Sequence, residues 1–194
     1  MKLQNFDLVV FDLDDTIINS QRLHLQAYID AVEKYTNRPV NSMLRLMIEQ
    51  DLDRGADIAL SHTDLSQSHI DSIKELKIKI FDLKYRKMVD VNLDARDVIN
   101  QLVEANIPVS LITNASQKNT DYYLRKFKLE RSFDYIITRD TYGTLKPNAI
   151  LGYNLYELYN QAFENTVYVG DNANDKLFAT NCGWQFLNIK HITL

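Results

Sequence analysis

Phe-Asp-Leu-Val-Val-Phe-Asp-Leu-Asp-Asp-Thr-Ile, residues 6–17, joins a hydrophobic segment to a cluster of acids. The apolar run from Leu8 to Phe11 has the length of a strand and is followed by Asp12, Asp14 and Asp15. Such a run is typical of a buried parallel strand, so these acids would lie at its carboxyl end. Open α/β sheets bind ligands at that end. The stretch therefore predicts an α/β fold with an acidic ligand site after its first strand.

Two of these acids can share a pocket. In an extended chain alternate side chains share a face, so Asp12 and Asp14 can point the same way while Leu13 packs away from them. Two such carboxylates repel each other unless a cation lies between them. Mg2+ fits because it binds oxygen ligands and keeps positions open for phosphate oxygens. A solvated loop would explain an isolated acidic pair, so the interpretation depends on the later motifs.

Composition limits the function classes. The 194 residues suffice for one medium domain, or for a core with a modest insertion. A net charge of −4 gives no reason to expect a nucleic-acid partner. The one cysteine, Cys182, excludes an internal disulfide, and the sequence shows neither a signal-peptide layout nor a long apolar run. We therefore expect a cytoplasmic protein that does not bind membranes.

The chain after the acidic strand changes character. From about residue 20 to 91, apolar residues recur at helical spacing without a convincing buried strand. Two predicted inward stripes contain Leu25, Tyr28, Val32 and Tyr35, and then Ile73, Leu76, Ile80 and Leu83. We predict a helical cap domain at 19–91 inserted into a core of 1–18 and 92–194, with hinges near 18–20 and 91–93.

The remainder alternates between helices and strands. The predicted helices cover about 94–106, 117–128, a segment beginning at Pro147, and 175–180. The predicted strands cover 109–112, 135–137, 167–169 and 184–187. Repeated strand and helix units with short connections indicate a parallel sheet with helices on both faces.

Polar residues follow the later strands of this sheet. Thr113 and Asn114 end one strand, Lys146 precedes a predicted helix, and Asp171 and Asp175 follow the strand at 167–169. Each has an ordinary structural explanation as a helix cap or a solvated side chain. Their order and their common position at strand ends or helix starts are better explained by one functional site.

With these motifs the sequence resembles the haloacid dehalogenase-like (HAD) hydrolase superfamily. The motifs are FDLDDT at 11–16, LITN at 111–114, Lys146-Pro147, and VGDNAND at 169–175. The predicted helical insertion lies between the first and second motifs, where this family places its C1-type cap. The resemblance covers the whole chain and implies a Rossmann-like core.

The resemblance also implies roles for the motif residues. Asp12 would be the nucleophile that forms an aspartyl-phosphate, and Asp14 the general acid and base. Thr113, Asn114 and Lys146 would bind the phosphoryl group.

A Mg2+ ion is implied as well. Asp12, the backbone carbonyl of Asp14, and Asp171 would bind it, and Asp175 would bind it or orient the site.

The function expected from these roles is hydrolysis of a small phosphorylated metabolite, such as a sugar phosphate, a nucleoside monophosphate or a phosphoglycolate-like acid. A closing cap would exclude bulky protein substrates. A phosphosugar mutase with the same intermediate is the alternative. A non-catalytic HAD-like protein or a receiver-like signalling module ranks below both. The oligomeric state stays open.

Four further positions carry weaker expectations. His24 could contact the leaving group or be a half-exposed helix residue, and Arg54 and Lys74 are candidate substrate-side cations. Asp15 stands where the family most often has Gly, so a positive φ there would be unfavourable.

Overall fold

The computed structural model describes residues 3–52 and 56–192. The chain divides into two compact units, Met1–Asn19 with Val91–Leu194, and Ser20–Asp90. We call them the core unit and the helical unit. That residues 19–91 act as a separate cap domain, with hinges at its two ends, stays a prediction.

A parallel sheet forms the centre of the core unit. The strands of the described residues are β1 (Leu8–Phe11), β2 (Ile18–Asn19), β3 (Asp90–Val91), β4 (Val109–Ile112), β5 (Tyr135–Ile137), β6 (Thr166–Gly170) and β7 (Gln185–Asn188). Five of them pair in parallel in the order β5-β4-β1-β6-β7, and β2 pairs with β3 in a second, two-stranded sheet. After β1 the chain forms β4 and β5 on one side of that strand and then crosses to form β6 and β7 on the other side. The carboxyl end of β1 is therefore a switch point of the kind that binds ligands.

The register of the sheet brings three motifs to one edge. The last residue of β1 aligns with Leu111 of β4 and with Val169 of β6. The chain beyond those positions contains Asp12, Thr113 and Asp171. All three therefore leave the sheet at its carboxyl edge, as the sequence predicts.

Both faces of β1 are covered. Leu8 and Val10 belong to a hydrophobic cluster that includes residues of two helices, α8 (Ile150–Tyr159) and α9 (Ala173–Cys182). Val9 and Phe11, which alternate with them, also have no exposed surface. Each such side chain contributes about 1.5–3 kcal/mol through its burial. The parallel sheet and the helical insertion confirm the predicted α/β class.

The other α-helices in the described part of the core unit are α5 (Leu93–Glu104), α6 (Gln117–Phe127) and α7 (Arg139–Tyr142). The helix predicted to begin at Pro147 begins instead at Ile150, so Lys146 lies in a loop. Side-chain amides form hydrogen bonds with the backbone of this loop. Asn114 accepts the N–H of Lys146 and donates to its carbonyl, and Asn181 donates to the carbonyl of Pro147. These side-chain bonds hold the backbone of Lys146 and Pro147 in the loop that precedes α8.

The described residues of the helical unit form the α-helices α1 (Gln21–Thr36), α2 (Ser42–Asp51), α3 (Asp57–Ser61) and α4 (Gln67–Ile80). Its core includes Leu25, Val32 and Ile73, as predicted. The inward position predicted for Leu83 is wrong, because this side chain is 88% exposed. A π-helical turn from Phe81 to Tyr85 follows α4 and interrupts the 3.6-residue period, so the buried positions pass to those two aromatic residues. Among the described residues, no helix has the length and apolarity needed to cross a membrane.

His24 lies inside the helical unit. Its ring stacks on Phe81 with centroids 3.9 Å apart, and its Nδ1 atom is 3.0 Å from Lys77 Nζ. Burial, together with the Lys77 charge, lowers the pKa of His24 to about 3. Nδ1 therefore accepts a hydrogen bond from the ammonium, and the imidazole is neutral at pH 7. Contact between His24 and a leaving group stays a prediction.

Lys74 and Arg54 are the two candidate substrate-side cations of this unit. Lys74 forms an ion pair of 3.2 Å with Asp57. Arg54 lies outside the described residues.

Replacing His24 by Gln should flatten the pH dependence of stability. The unfolded chain protonates His24 near pH 6.5, whereas the low pKa of the folded state, about 3, keeps it neutral. The wild type should therefore lose stability as pH falls below 6.5, at roughly 1.4 kcal/mol per pH unit more steeply than the variant. Urea denaturation of both proteins between about pH 7 and pH 5 measures this. Parallel curves would contradict the described environment of His24.

Candidate active site

The ammonium of Lys146 lies at the centre of the candidate site. Its Nζ atom donates to Asp12 Oδ1 at 2.5 Å, to Asp175 Oδ1 at 2.7 Å and to the hydroxyl of Tyr168 at 2.8 Å. The side chains of Lys146 and Asp12 are only 4% and 6% exposed. A lysine ammonium has three N–H groups, so each of them has one protein acceptor here.

The charges of this cluster depend on each other. Burial raises the pKa of the Asp12 carboxyl well above its ordinary value, and the adjacent Lys146 ammonium opposes that rise. Burial alone would lower the pKa of Lys146, but attraction by Asp12 and Asp175 outweighs it and leaves this pKa above its ordinary value. Lys146 is therefore a permanent cation at neutral pH.

Three carboxylates could hold a metal ion. Asp12, Asp171 and Asp175 each offer an oxygen, and these oxygens lie within 4.8 Å of one another. Hard divalent cations take oxygen ligands of this kind, so the residues fit such an ion. The oxygens of Asp175 already accept hydrogen bonds, Oδ1 from Lys146 and Oδ2 from the backbone N–H of Asp171 at 3.1 Å. This arrangement suits an orienting role for Asp175.

Asp14 lies two residues after Asp12 in a tight loop. Two backbone hydrogen bonds close this loop, because the N–H groups of Ile17 and Ile18 donate to the Leu13 carbonyl at 2.9 Å and 3.0 Å. The Asp14 carboxylate is close enough to contribute to the raised pKa of Asp12. Asp15 adopts a positive φ of 56°, the conformation in which glycine is favoured.

Thr113 and Asn114 follow β4. Thr113 is 1% exposed, and its hydroxyl oxygen accepts the N–H of Ala115 at 3.1 Å, which does not use the hydroxyl proton. Asn114 accepts the backbone N–H of Lys146 at 2.8 Å and donates to its carbonyl at 3.3 Å. The amide of Asn114 therefore holds the lysine loop, and its contact with phosphate stays a prediction.

Sequence analysis missed several residues that fix this loop. Asn174 donates to the Lys146 carbonyl at 3.4 Å, and Asn181 donates to the Pro147 carbonyl at 2.8 Å. Both belong to α9, where a spacing of seven residues places them on one side of the helix. In the sequence, this spacing of seven residues is the feature that could have indicated that Asn174 and Asn181 act together. Tyr168 lies within the apolar strand β6, so the sequence gives no sign that its hydroxyl contacts the site.

Comparison with known proteins assigns the family. The family model described as haloacid dehalogenase-like hydrolase matches residues 9–189. This chain belongs to that family. It is similar to a phosphoglycolate phosphatase of Vibrio vulnificus, with 26% identity over 94% of this chain and 83% of the relative. It is also similar to pyrophosphatase PpaX of Bacillus mycoides, with 21% identity over 90% of this chain and 79% of the relative.

A solved structure supports the fold. The crystal structure of a haloacid dehalogenase-like hydrolase from Bacteroides fragilis aligns with a TM-score of 0.79 and 18% identity, over 93% of this chain and 86% of that one. The Rossmann-like core and the helical insertion of the family are thereby confirmed. The enzyme class is that of the HAD-like phosphatases, as the sequence predicts.

Substituting Gly170 by Ala should disturb the acidic edge. A Cβ atom at this position would lie 2.5 Å from both the Cβ and the Oδ2 of Asp175, which is fully buried. The Asp175 carboxylate would have to move from Lys146, so we expect the free energy of unfolding to fall by about 1–3 kcal/mol. Chemical denaturation measures this change. A loss below about 0.5 kcal/mol, the range of ordinary surface substitutions, would contradict the close packing.

Proposed function

We propose that this protein is a Mg2+-dependent phosphatase that hydrolyses a small phosphorylated metabolite through an aspartyl-phosphate at Asp12. One observation carries the proposal: a buried ammonium lies 2.5 Å from the Asp12 carboxylate, whose neighbours Asp171 and Asp175 complete a group that could hold a cation. A carboxylate placed between two positive groups is suited to meet an anionic substrate.

Asp12 and Asp171, with the carbonyl of Asp14, would hold Mg2+, while Asp175 keeps Lys146 and the backbone near Asp171 in place. The bound ion would neutralise charge on the carboxylates and on the phosphoryl oxygens. The phosphoryl-transfer and proton-transfer steps are carried out by side chains of the core unit.

In the first step Asp12 attacks phosphorus. Lys146 holds Oδ1 of Asp12, so Oδ2 is the oxygen that we assign to the attack. The new bond joins Oδ2 to phosphorus while the bond from phosphorus to the ester oxygen breaks. Asp14 gives its proton to the departing alcohol. Thr113 donates its hydroxyl proton to a phosphoryl oxygen.

In the second step water attacks the phosphorus of the aspartyl-phosphate. Asp14, now ionised, takes a proton from that water, and the bond between Oδ2 of Asp12 and phosphorus breaks. Inorganic phosphate leaves, and both carboxyl groups return to their starting states. If the phosphoryl group passed from Asp12 to a second hydroxyl group instead of water, the same residues would catalyse a mutase reaction.

The relatives and the charges of the site support one substrate class. A phosphoglycolate phosphatase and a pyrophosphatase are among the similar proteins, so we infer a compact, strongly anionic substrate. Such substrates need neutralisation of the acidic edge before they bind. We therefore expect turnover to depend on Mg2+.

Phosphate release from a panel of compounds tests this proposal. The panel contains phosphoglycolate, pyrophosphate, sugar phosphates and nucleoside monophosphates, each with Mg2+ and with a chelator. Wild-type turnover should require Mg2+, and Asp12→Asn should lower kcat by at least about 1,000-fold because it removes the nucleophile.

Asp97→Asn is the matched control, since it makes the same substitution at an exposed position on α5 of the core unit. It should retain wild-type turnover. Mass spectrometry of acid-quenched wild type should detect one phosphoryl group on the peptide that contains Asp12. Turnover that persists in Asp12→Asn would refute the assigned nucleophile, and transfer without release would favour the mutase.

A further inference from the structure

Tyr168 lies in the middle of β6, directly beneath the candidate site. Its side chain has no exposed surface, and its hydroxyl has two partners. It accepts a hydrogen bond from Lys146 Nζ at 2.8 Å and donates one to the carbonyl of Ile112 at 2.6 Å. The hydroxyl thereby links the lysine loop to the end of β4, next to Thr113.

Chemistry fixes the direction of both bonds. A carbonyl can only accept, so the single phenolic proton goes to Ile112. An ammonium can only donate, so Lys146 receives a lone pair of the same oxygen. Burial raises the pKa of the Tyr168 phenol well above its ordinary value, which keeps that proton in place. Tyr168 is therefore a neutral acceptor for Lys146.

The position of this acceptor is rigid. In the sheet order β1 lies between β6 and β4, so the Tyr168 side chain crosses β1 to reach Ile112. The ring also packs edge-on against Phe178, with centroids 5.0 Å apart. Strand, ring packing and carbonyl bond together leave the hydroxyl little freedom to move.

We propose that Tyr168 is a positioning residue that fixes the Lys146 ammonium against Oδ1 of Asp12. This inference rests on the proposed function. The carboxylates of Asp12 and Asp175 both attract the ammonium, and two such attractions leave it free to rotate about the line between them. A third, neutral acceptor on the β6 strand removes that freedom. Oδ1 of Asp12 is then held by Lys146, which keeps Oδ2 directed at phosphorus.

The principal competing explanation is that the hydroxyl only satisfies buried polar groups. In that case Tyr168→Phe would lower stability without changing turnover by the folded protein. A positioning role predicts a lower kcat at nearly unchanged KM, because misplacement of the ammonium affects the reacting geometry more than ground-state binding.

Tyr159→Phe is the matched control. The hydroxyl of Tyr159 also has two hydrogen-bond partners, which are the side-chain atoms Ser110 Oγ at 2.8 Å and Asp134 Oδ2 at 2.9 Å. Asp134 precedes β5 and accepts the N–H of Val109, so this tyrosine lies towards the opposite, amino edge of the sheet. The two variants lose the same chemical group with two hydrogen-bond partners each, although Tyr159 is half-buried whereas Tyr168 is fully buried.

Steady-state kinetics with the best substrate of the panel are measured well below the unfolding temperature of every variant. We expect Tyr168→Phe to lower kcat on the order of ten-fold and to change KM by less than about two-fold. Tyr159→Phe should keep the wild-type kcat. An equal kcat for the two variants would overturn the positioning role.

A second measurement does not require turnover. Tyr168→Phe is made in the wild type and in Lys146→Met, and the urea midpoint of unfolding is compared in both backgrounds. The hydroxyl should shift the midpoint more where the ammonium is present. Equal shifts would overturn the inference even for an active enzyme. Unequal shifts in a protein that releases no phosphate would support the bond between Tyr168 and Lys146 that the inference requires, while refuting the proposed phosphatase function.

Discussion

Two buried carboxylates share one ammonium at the carboxyl edge of the sheet, and the rest of the site depends on this arrangement. Asp12 and Asp175 would repel each other without Lys146 between them. Removing one partner of a buried ion pair typically costs about 3–5 kcal/mol, because the remaining charge stays buried without compensation. The position of the ammonium is therefore a structural requirement as well as a chemical one.

Several elements of the core unit hold the Lys146 ammonium in this position. Asn114 and Asn174 bond the backbone of Lys146, and the hydroxyl of Tyr168 receives its third N–H. These residues come from the loop after β4, from α9 and from β6, so three parts of the core unit meet at one lysine. The parallel register brings them together, since β4 and β6 flank β1 and end at the same edge. A divalent cation at the outer carboxylates would complete the neutralisation that Lys146 begins.

The motifs were readable in the sequence because each follows from local chemistry. A hydrophobic run followed by acids located β1 and Asp12, and a Gly-Asp tip located Asp171. Partners set by tertiary contacts were not readable. The sequence predicts a helix that starts at Pro147, a residue suited to a first helical turn, but side-chain amides bond the backbone of Lys146 and of Pro147 in a loop. Tyr168 stands within an apolar strand segment of the sequence, and only the tertiary structure brings its hydroxyl beside Lys146. Periodicity failed at Leu83 because a π-helical turn changes the phase of the helix.

The central claim is that Lys146 compensates repulsion between Asp12 and Asp175. It is tested most directly by comparing the free energies of unfolding of Lys146→Met and of the double variant Lys146→Met with Asp12→Asn. The comparison is made with a chelator and repeated at increasing pH, because burial raises the pKa of Asp12 well above its ordinary value and the repulsion requires the ionised carboxyl. The account predicts that the double variant is more stable than Lys146→Met, since the second substitution removes one of two uncompensated charges. A double variant as unstable as the single variant, or less stable, would contradict it.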